Sequence, residues 1–417
     1  MSKIIDVDLV VIGAGPAGLA AAIAAAESGV EKILLVERQE ELGGILLQCI
    51  HNGFGLRYFK EELTGPEYAQ RFIAQLVRHP QIMVKTETMV IEITADRRVA
   101  TTNATEGLVY YQARAIILAM GCRERPRGAI NIPGTRPAGI YTAGSIQHLM
   151  NIEGYLPGRE AVILGSGDIG LIMARRLTLE GLPVQAVLEL MPYSNGLNRN
   201  VTQCLEDYNI PLYLSHTVVE IIGEKRIEGV KAAPVDENLK PIFEKSFNLS
   251  CDTLILSVGL IPENELSLMA GVELDPITGG PVVDSFYQTT VAGIFACGNV
   301  AHVHDLVDDV SEESKVAGRA AAAYLAGKTA AQEQLRFKAG RNIRSIVPQS
   351  VSIDLPTTIY LRARFPERNA TLHVGNGKAR QRVVSPGETI HYVVKPEDLK
   401  GNSGFVPVSL EGGQVND

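Results

Sequence analysis

The glycine pattern GxGxxG occurs twice in this chain, each time after a buried strand and before a helix. The strand-like run Asp8–Ile12 leads into GAGPAG at Gly13–Gly18 and an alanine-rich helix. The run Ala161–Leu164 leads into GSGDIG at Gly165–Gly170, 152 residues after the first copy, and a second helix. Strand, tight glycine turn and helix in this order predict two βαβ motifs.

An acidic residue completes each motif. A second strand follows each helix, Lys32–Val36 and Val184–Leu188, and leads into Glu37 or Glu189, nineteen residues after the last glycine. The first glycine permits the turn, the second lets backbone N–H groups approach a pyrophosphate, and the third lets helix pack on strand. The carboxylate accepts ribose hydroxyls, so two dinucleotide sites are predicted. At Glu189 it favours NAD over NADP, because it repels a 2′-phosphate.

Composition and charge limit the classes of function. The chain has 417 residues, enough for two to three domains at roughly 150 residues each. Its formal charge of −8 provides no global positive field for a nucleic-acid backbone, so we expect no nucleic-acid partner. Five scattered cysteines without a CxxC pair are typical of a reducing cytoplasm. The uncharged run Leu9–Ala26 is broken by glycines and a proline, so we predict neither a targeting nor a transmembrane segment.

The sequence changes character from about Gln334. Short β-branched runs between prolines predict strands at Val351–Leu355, Thr358–Phe365, Thr371–Val374 and Thr389–Val394. Residues 336–417 carry 12 basic and 7 acidic side chains, a net +5, against −13 for the preceding chain. Two interpretations stay open: a small β domain docked on the chain's own acidic body, or a surface that binds a partner.

Three further segments, with the two βαβ motifs, resemble those of the two-dinucleotide flavoproteins, the pyridine nucleotide-disulfide oxidoreductase class. Arg38 with Leu42–Gly44 is similar to the arginine and paired glycines of that family. Ile116–Gly121 resembles the strand that ends the first flavin segment, and Thr290–Asn299 resembles the second flavin motif, with asparagine where aspartate is customary. The resemblance covers Ile5–Leu325 and implies FAD at the first motif and NAD(P)H at the second.

The resemblance also implies the architecture. It is an α/β fold with two Rossmann-like dinucleotide-binding domains and a small C-terminal all-β domain. The FAD-binding domain is discontinuous (residues 1–119 and 285–335), the NAD-binding domain is inserted (120–284), and a β-rich docking domain follows (336–417). In the family, the helix after the second flavin motif points its N-terminus at the flavin. The sequence Asp309-Val-Ser-Glu312 predicts a capping box that opens this helix.

The motifs assign cofactor-binding roles residue by residue. For FAD the resemblance implies Gly13, Gly15, Pro16, Ala17, Gly18, Glu37, Arg38, Gly43, Gly44, Ala119, Gly121, Gly298 and Asn299. For the nicotinamide nucleotide, with NADH preferred, it implies Gly165, Gly167, Asp168, Ile169, Gly170 and Glu189. No metal site is predicted: His302 and His304 stand two apart without clustered ligands, and a polar loop at the flavin edge is expected instead.

Disulfide reductases of this class place a cysteine pair against the flavin, and no such pair occurs in this sequence. Cys49 lies near the first flavin segment, with His51 two residues on. Two interpretations stay open: a small buried side chain beside a flavin-contacting loop, or a single redox cysteine whose thiolate His51 favours. Cys49 and His51 are therefore the candidate catalytic residues.

A finer resemblance rests on the loops Gln48–Gly55, Leu197–Asn200 and His302–Asp305. They are similar to flavoprotein subunits of multicomponent dehydrogenases, of the hydrogen cyanide synthase, opine oxidase, proline dehydrogenase and glycerol-3-phosphate oxidase types. The resemblance implies a partner oxidoreductase subunit, or a second copy of the chain, beside the nicotinamide nucleotide.

These observations predict an FAD-dependent oxidoreductase without a redox-active cysteine pair. It takes hydride from NADH onto flavin N5 and passes electrons to oxygen, a dye, a quinone or a partner protein. One alternative is an electron-relay subunit of a multicomponent dehydrogenase that oxidises, for example, glycerol-3-phosphate, an amino acid or an amine. A second alternative is a thiol or peroxide reductase that uses Cys49.

Overall fold

The structure is a computed structural model that describes residues 4–328 and 334–413. It divides into two compact units: the first contains the residues up to Cys122 and those from Pro262 onward, and the second contains Arg123–Ile261. Within the described ranges, none of the helices has both the length and the apolar character needed to cross a membrane.

The first stretch of the first unit builds a Rossmann-like sheet. Its elements are β1 (Ile4–Ile12), α1 (Pro16–Glu27), β2 (Ile33–Val36), β3 (Asn52–Phe54), β4 (Leu63–Thr64), α2 (Gly65–Leu76), β5 (Ile82–Lys85), β6 (Met89–Ile93), β7 (Arg98–Asn103) and β8 (Gly107–Leu118), with a short 3-10 helix at Gly44–Gln48. The strand order is β5-β2-β1-β8-β7-β6. β1 begins four residues before the predicted strand, because Ile4 to Val7 pair with β8.

The second unit holds a second parallel sheet. The elements of this stretch are β9 (Cys122–Glu124), α3 (Arg127–Ile130), β10 (Ile140–Thr142), α4 (Ala143–Asn151), β11 (Ala161–Leu164), α5 (Asp168–Leu179), β12 (Val184–Glu189), α6 (Asn198–Cys204), β13 (Leu212–Leu214), β14 (His216–Ile222), β15 (Gly229–Pro234), β16 (Phe247–Ser250), β17 (Thr253–Leu256) and β18 (Leu260–Pro262). The parallel order is β10-β17-β11-β12-β13, and β14-β15-β16 form an antiparallel sheet.

The chain then returns to the first unit through α7 (Glu265–Met269), β19 (Ile294–Ala296) and α8 (Val307–Leu325). β19 pairs in parallel with β8 and so joins the first sheet. α8 crosses α1 at close range, because Gly318 has no side chain: an added Cβ would lie 2.3 Å from the carbonyl oxygen of Ala21.

The C-terminal region is strand-rich. Its elements are β20 (Gln334–Ala339), β21 (Ile343–Val347), β22 (Ser350–Ser352), β23 (Thr357–Ala363), β24 (Glu367–Val374), β25 (Gly377–Val384), β26 (Ile390–Val394), α9 (Pro396–Leu399) and β27 (Phe405–Gly413). They form sheets of order β22-β20-β27-β24-β25 and β21-β23-β26 around their own apolar core. The four predicted strands overlap β22, β23, β24 and β26. The sequence does not predict β20, β21, β25 or β27. The middle of β25 alternates basic and uncharged side chains and has no apolar run.

The fold class predicted from the sequence is confirmed: two Rossmann-like regions precede a strand-rich region. The domain boundaries stay a prediction. The C-terminal region also contributes to the core of the first unit, since Val347 and Tyr360 are buried in the cluster that contains β1, β2 and α1.

Candidate functional site

The carboxyl ends of the parallel strands in the first unit lie side by side. Gly13 follows β1, Ala119 follows β8 and Cys297 follows β19. The backbone N–H of each donates to the last residue of a neighbouring strand, over 2.8, 2.9 and 3.1 Å respectively. The segments predicted to bind FAD therefore meet at one edge of the sheet, where open α/β sheets bind their ligands.

The three glycines of the first motif differ in what surrounds them. Gly13 has φ +97°, and an added Cβ would lie 2.5 Å from the carbonyl oxygen of Ala119. At Gly18 an added Cβ would lie 1.8 Å from the Gly13 oxygen, so α1 packs directly on the turn. A Cβ at Gly15 would meet nothing closer than Gly44 Cα, at 4.0 Å. The open space at Gly15, before the first turn of α1, fits a pyrophosphate.

The carboxylate of Glu37 is held beside this turn. It is buried, its Oε2 accepts the backbone N–H of Ala14 at 2.7 Å, and its Oε1 accepts the N–H of Gln39 at 2.9 Å. A carboxylate has about four lone-pair positions. Glu37 therefore retains acceptor capacity for ribose hydroxyls while the backbone fixes its orientation.

The other predicted FAD residues lie around the same edge. Gly43 donates its N–H to Ala14 O at 2.9 Å, and an added Cβ at Gly44 would lie 3.0 Å from Gly15 Cα, so this loop faces the glycine turn. Gly121 has open space around it. Arg38 is exposed.

The second unit repeats this construction. Gly165 has φ +99°, and an added Cβ there would lie 2.1 Å from the carbonyl oxygen of Ser257. Ser166 donates its backbone N–H to Oε2 of the buried Glu189 at 2.9 Å, as Ala14 does to Glu37. The Ser166 hydroxyl donates to the same oxygen at 2.6 Å, and the N–H of Met191 donates to Oε1 at 2.8 Å. These residues fit a second dinucleotide.

The side chain of Asp168 holds a neighbouring segment of the second unit. Its Oδ1 accepts the backbone N–H of Leu197 at 2.8 Å and Nδ2 of Asn200 at 2.7 Å, and so holds the start of α6. Ile169 packs against the core of the second unit. The backbone of both residues lies in the first turn of α5, and their cofactor-binding roles stay a prediction.

The loop after β19 is organised by a carboxylate on α8. Glu313 Oε1 accepts the backbone N–H of Gly298 at 2.7 Å. Its Oε2 lies 2.8 Å from His302 Nε2 and 3.0 Å from His304 Nε2. The Oδ1 of Asn299 accepts the backbone N–H of His304 at 3.0 Å. Side chains that follow the second flavin motif in the sequence therefore shape its backbone.

Two side chains of this cluster, His302 and Glu313, have pKa values shifted from the ordinary ones. Burial, with the charge of nearby His304, lowers the pKa of His302 to about 4. Burial alone would raise the pKa of Glu313, but His304 and His302 hold it well below its usual range. At neutral pH Glu313 is therefore ionised and His302 neutral. The three side chains present nitrogen and oxygen atoms within 4.8 Å of one another, and direct hydrogen bonds join both histidines to Glu313.

The C-terminal region packs on this loop. Arg362 of β23 donates to Asp305, and the N–H and hydroxyl of Thr389 each donate to the same carboxylate over 2.7 Å. The ring of Tyr360 lies 5.2 Å from that of His302 and 5.5 Å from that of His304. These contacts join the C-terminal region to the loop after β19, and the docking role of that region stays a prediction.

The predicted capping box at the start of α8 is wrong. The helix begins at Val307, and Leu306, which has no capping side chain, precedes it. Asp309 lies within the first turn, where it pairs with Arg57 at 3.3 Å and with His391 of β26 at 3.4 Å. Tertiary ion pairs, which the local sequence does not show, determine its role.

Residues 7–327 match the family described as pyridine nucleotide-disulphide oxidoreductase. The chain belongs to this family. Membership makes it an oxidoreductase of a class that binds FAD and NAD(P)H, and it confirms the resemblance seen in the sequence.

The relatives of the chain include components of larger enzymes. An opine oxidase subunit from Agrobacterium tumefaciens is 26% identical over 335 residues, which cover 76% of this chain and 64% of that protein. Hydrogen cyanide synthase subunit HcnB of Pseudomonas protegens is 26% identical over 338 residues, or 75% of this chain and 69% of HcnB. The chain thus spans about two thirds of the length of these relatives. Thioredoxin reductase of T. acidophilum shares the fold, with a TM-score of 0.62 at 24% identity over 76% of this chain and 98% of that one.

Cys49 lies in a setting unlike that of a reactive thiol. Burial raises the pKa of Cys49 to about 12, and its Sγ donates to Ile45 O at 3.3 Å. His51 has its Nδ1 3.1 Å from Asn52 O, and its ring lies 5.0 Å from that of Phe54. A thiol with a raised pKa stays protonated at neutral pH, which disfavours nucleophilic attack. The catalytic roles of Cys49 and His51 stay a prediction.

Sequence reasoning misses several residues of the site. The local pattern presents Glu313 only as an acid near a helix start, whereas the fold places its carboxylate on the Gly298 backbone. Ser166 has a signal in the repeat, since it occupies the place of Ala14. Tyr360 has none, because it reaches the loop only through the docking of the C-terminal region.

Proposed function

We propose that the chain is an FAD-dependent oxidoreductase that oxidises NADH and passes the electrons to an acceptor without a cysteine pair. The observation that carries the proposal is the repeated carboxylate clamp, Glu37 with Ala14 and Glu189 with Ser166, each beside a glycine turn. FAD, when bound, supplies a centre that accepts a hydride and releases its electrons singly or in pairs.

The residues of the chain then have distinct tasks. Gly15 leaves room for the pyrophosphate, while Gly13 permits the turn and Gly18 lets α1 pack on it, so that the first turn of α1 is directed at the pyrophosphate. Glu37 binds the ribose, and the loop that contains Gly298 and Asn299 binds the ribityl chain. The residues that bind the nicotinamide nucleotide in the same manner are Gly165, Gly167, Gly170 and Glu189.

The deciding experiment is anaerobic mixing of the purified protein with NADH while the visible flavin absorbance is recorded. We expect the flavin to bleach, with FAD released by heat at about one per chain. A colourless protein that cannot be reconstituted with FAD would contradict the proposal that the protein depends on FAD.

An electron-relay role is the second candidate, favoured by the relatives, which are named as subunits of opine oxidase and hydrogen cyanide synthase. In that role a partner protein oxidises the substrate, and this chain transfers the electrons. A flavin that NADH leaves oxidised, in a protein that co-purifies with another oxidoreductase, would favour it. A cytoplasmic location is proposed for either role.

NADH is expected to reduce the protein faster than NADPH, because the Glu189 carboxylate repels a 2′-phosphate. The two arginines of α5 do not offset this: Arg176 pairs with Glu180, and Arg175 lies over the Tyr208 ring. Stopped-flow reduction measures both rates. Glu189→Gln, which retains the side-chain volume, should narrow the NADH preference about tenfold, the effect of one charged hydrogen bond.

The control for this experiment is Glu244→Gln, which removes an exposed carboxylate of the same unit and should leave the preference unchanged. Equal wild-type rates with the two nucleotides would refute the preference for NADH. If neither nucleotide reduced the flavin, the result would favour the electron-relay role.

Cys49→Ser should leave NADH-driven reduction of an artificial acceptor within about twofold of wild type, because hydride transfer needs orientation but no thiol. The measurement is steady-state dye reduction at matched FAD content. A large loss of turnover in a Cys49→Ser variant with normal FAD content would favour the mechanism that uses Cys49 as a single redox cysteine.

A further inference from the structure

His304 is held between two acceptors. Its Nε2 lies 3.0 Å from Oε2 of Glu313, and its Nδ1 lies 3.3 Å from Oδ1 of Asn299. The backbone N–H of His304 donates to the same Asn299 atom at 3.0 Å, which identifies that atom as the amide oxygen. The side chain of His304 is 2% exposed and that of Glu313 is 0% exposed.

Both ring nitrogens of His304 therefore face oxygen atoms that only accept. A neutral imidazole has one N–H and one acceptor nitrogen, whereas an imidazolium donates from both. The two contacts are satisfied together only by the imidazolium. Its charge is balanced by Glu313, so the pair is neutral as a whole.

We propose that His304 is a positioning residue of the flavin site: a buried imidazolium that holds the Asn299 amide in one orientation. The proposal rests on the proposed function, since Asn299 belongs to the second flavin motif. With Oδ1 committed to His304, the Asn299 amide nitrogen lies 3.6 Å from Sγ of Cys122, which follows Gly121 of the first flavin segment. Asn299 thus presents a donor between the two flavin segments.

This arrangement accounts for an asparagine at a position where the family customarily has aspartate. An aspartate would place a second carboxylate on His304, which already pairs with Glu313. At this half-buried position the extra negative charge would disfavour the folded state. The amide gives His304 an acceptor without adding charge.

The titratable or charged groups near His304 lie on α8, on its own loop and in the C-terminal region. They are Glu313 and Asp309 of α8, His302 of the same loop, and Tyr360, Arg362 and His391 of the C-terminal region. Among these described groups, Glu313 is the one that makes a direct hydrogen bond to the His304 ring. Arg362 pairs with Asp305 and Arg57 with Asp309, and burial lowers the pKa of His391, which lies 3.4 Å from Asp309.

The first test is histidine-selective ¹⁵N NMR of the protein as purified, at pH 8, with His304→Gln used to assign the signal among the eight histidines. We expect His304 to show two protonated ring nitrogens and His302 to show one. A neutral His304 would overturn the proposal. So would a metal ion bound at about one per chain, with either Nε2 as its ligand.

The second test compares FAD dissociation constants, measured by flavin fluorescence, for His304→Gln and His302→Gln. His302 shares Glu313 with His304, whereas the ring contact to Asn299 comes from His304, so His302 is the matched control. We expect His304→Gln to weaken FAD binding about 10- to 100-fold, as expected when a buried charged contact is lost, and His302→Gln to weaken it less than about threefold. Equal effects of the two substitutions would overturn the proposal.

Different results would contradict the proposed function and the positioning role of His304. If wild-type protein binds no FAD, the proposed function fails, while the NMR experiment still tests the charge of His304. If wild-type protein binds FAD and His304→Gln binds it equally well, the positioning role fails and the proposed function stands.

Discussion

Replacing Gly15 with valine is expected to give a folded protein that retains less than about a tenth of the FAD bound by wild type. The side chain enters the space before α1, where a Cβ meets no atom closer than 4.0 Å, so the protein without cofactor tolerates it. The same carbons occupy the position that the pyrophosphate requires. The measurement is the ratio of flavin to protein absorbance after purification, with circular dichroism to verify folding.

Gly167→Val is the matched control, because Gly167 precedes α5 as Gly15 precedes α1. An added Cβ there lies 3.3 Å from the Ser257 hydroxyl, a contact that a small shift relieves. This variant should keep its FAD and lose reduction by NADH. If Gly15→Val retained a full complement of FAD, the glycine turn of the first motif would not be the FAD site.

Replacing Glu313 with alanine is expected to lower the free energy of unfolding of the first unit by about 3–5 kcal/mol, the cost of removing one partner from a buried ion pair. The substitution leaves the Gly298 N–H and the ring nitrogens of His302 and His304 without their shared acceptor. Urea unfolding of the FAD-loaded protein, monitored by flavin fluorescence, measures the loss.

Glu312→Ala is the control on the adjacent residue. Glu312 is exposed and pairs with Lys315 across 3.3 Å, so its removal should cost less than about 1 kcal/mol. Glu313→Gln keeps the side-chain volume and one acceptor and should fall between the two. Equal stabilities of the Glu312→Ala and Glu313→Ala variants would show that the buried cluster does not support the loop.

The C-terminal region has a closer connection to the flavin motif than its sequence indicates. It contains no cysteine, and its sequence shows no acid/base constellation, which favours a docking role. In the structure Tyr360 covers His302 and His304, and Arg362 and Thr389 hold Asp305. The C-terminal region therefore packs against the loop that we propose to bind the ribityl chain.

The parts of the structure predicted correctly from the sequence are those built from neighbours along the chain. The strand, glycine turn and helix at Gly13–Gly18 and at Gly165–Gly170 follow from local rules: a buried apolar run, a turn that only glycine fits, and a helix that begins after it. The strand-end acids Glu37 and Glu189 follow in the same way, since the spacing of the motif places each carboxylate next to its turn. The family assignment rests on these elements.

Only the tertiary structure shows what surrounds the second flavin motif. The sequence presents Glu313 as a helix-start acid, Asp309 as a cap and His302 and His304 as a polar loop. Packing instead buries Glu313 and the two histidines together, so that one carboxylate contacts both rings. The Thr389 contact with Asp305 joins residues 84 apart. The sequence by itself therefore determined the family, whose members bind FAD and NAD(P)H, because those signals are local. The tertiary structure alone decided how the loop after β19 is held, because that depends on which distant charged and polar side chains are buried against one another.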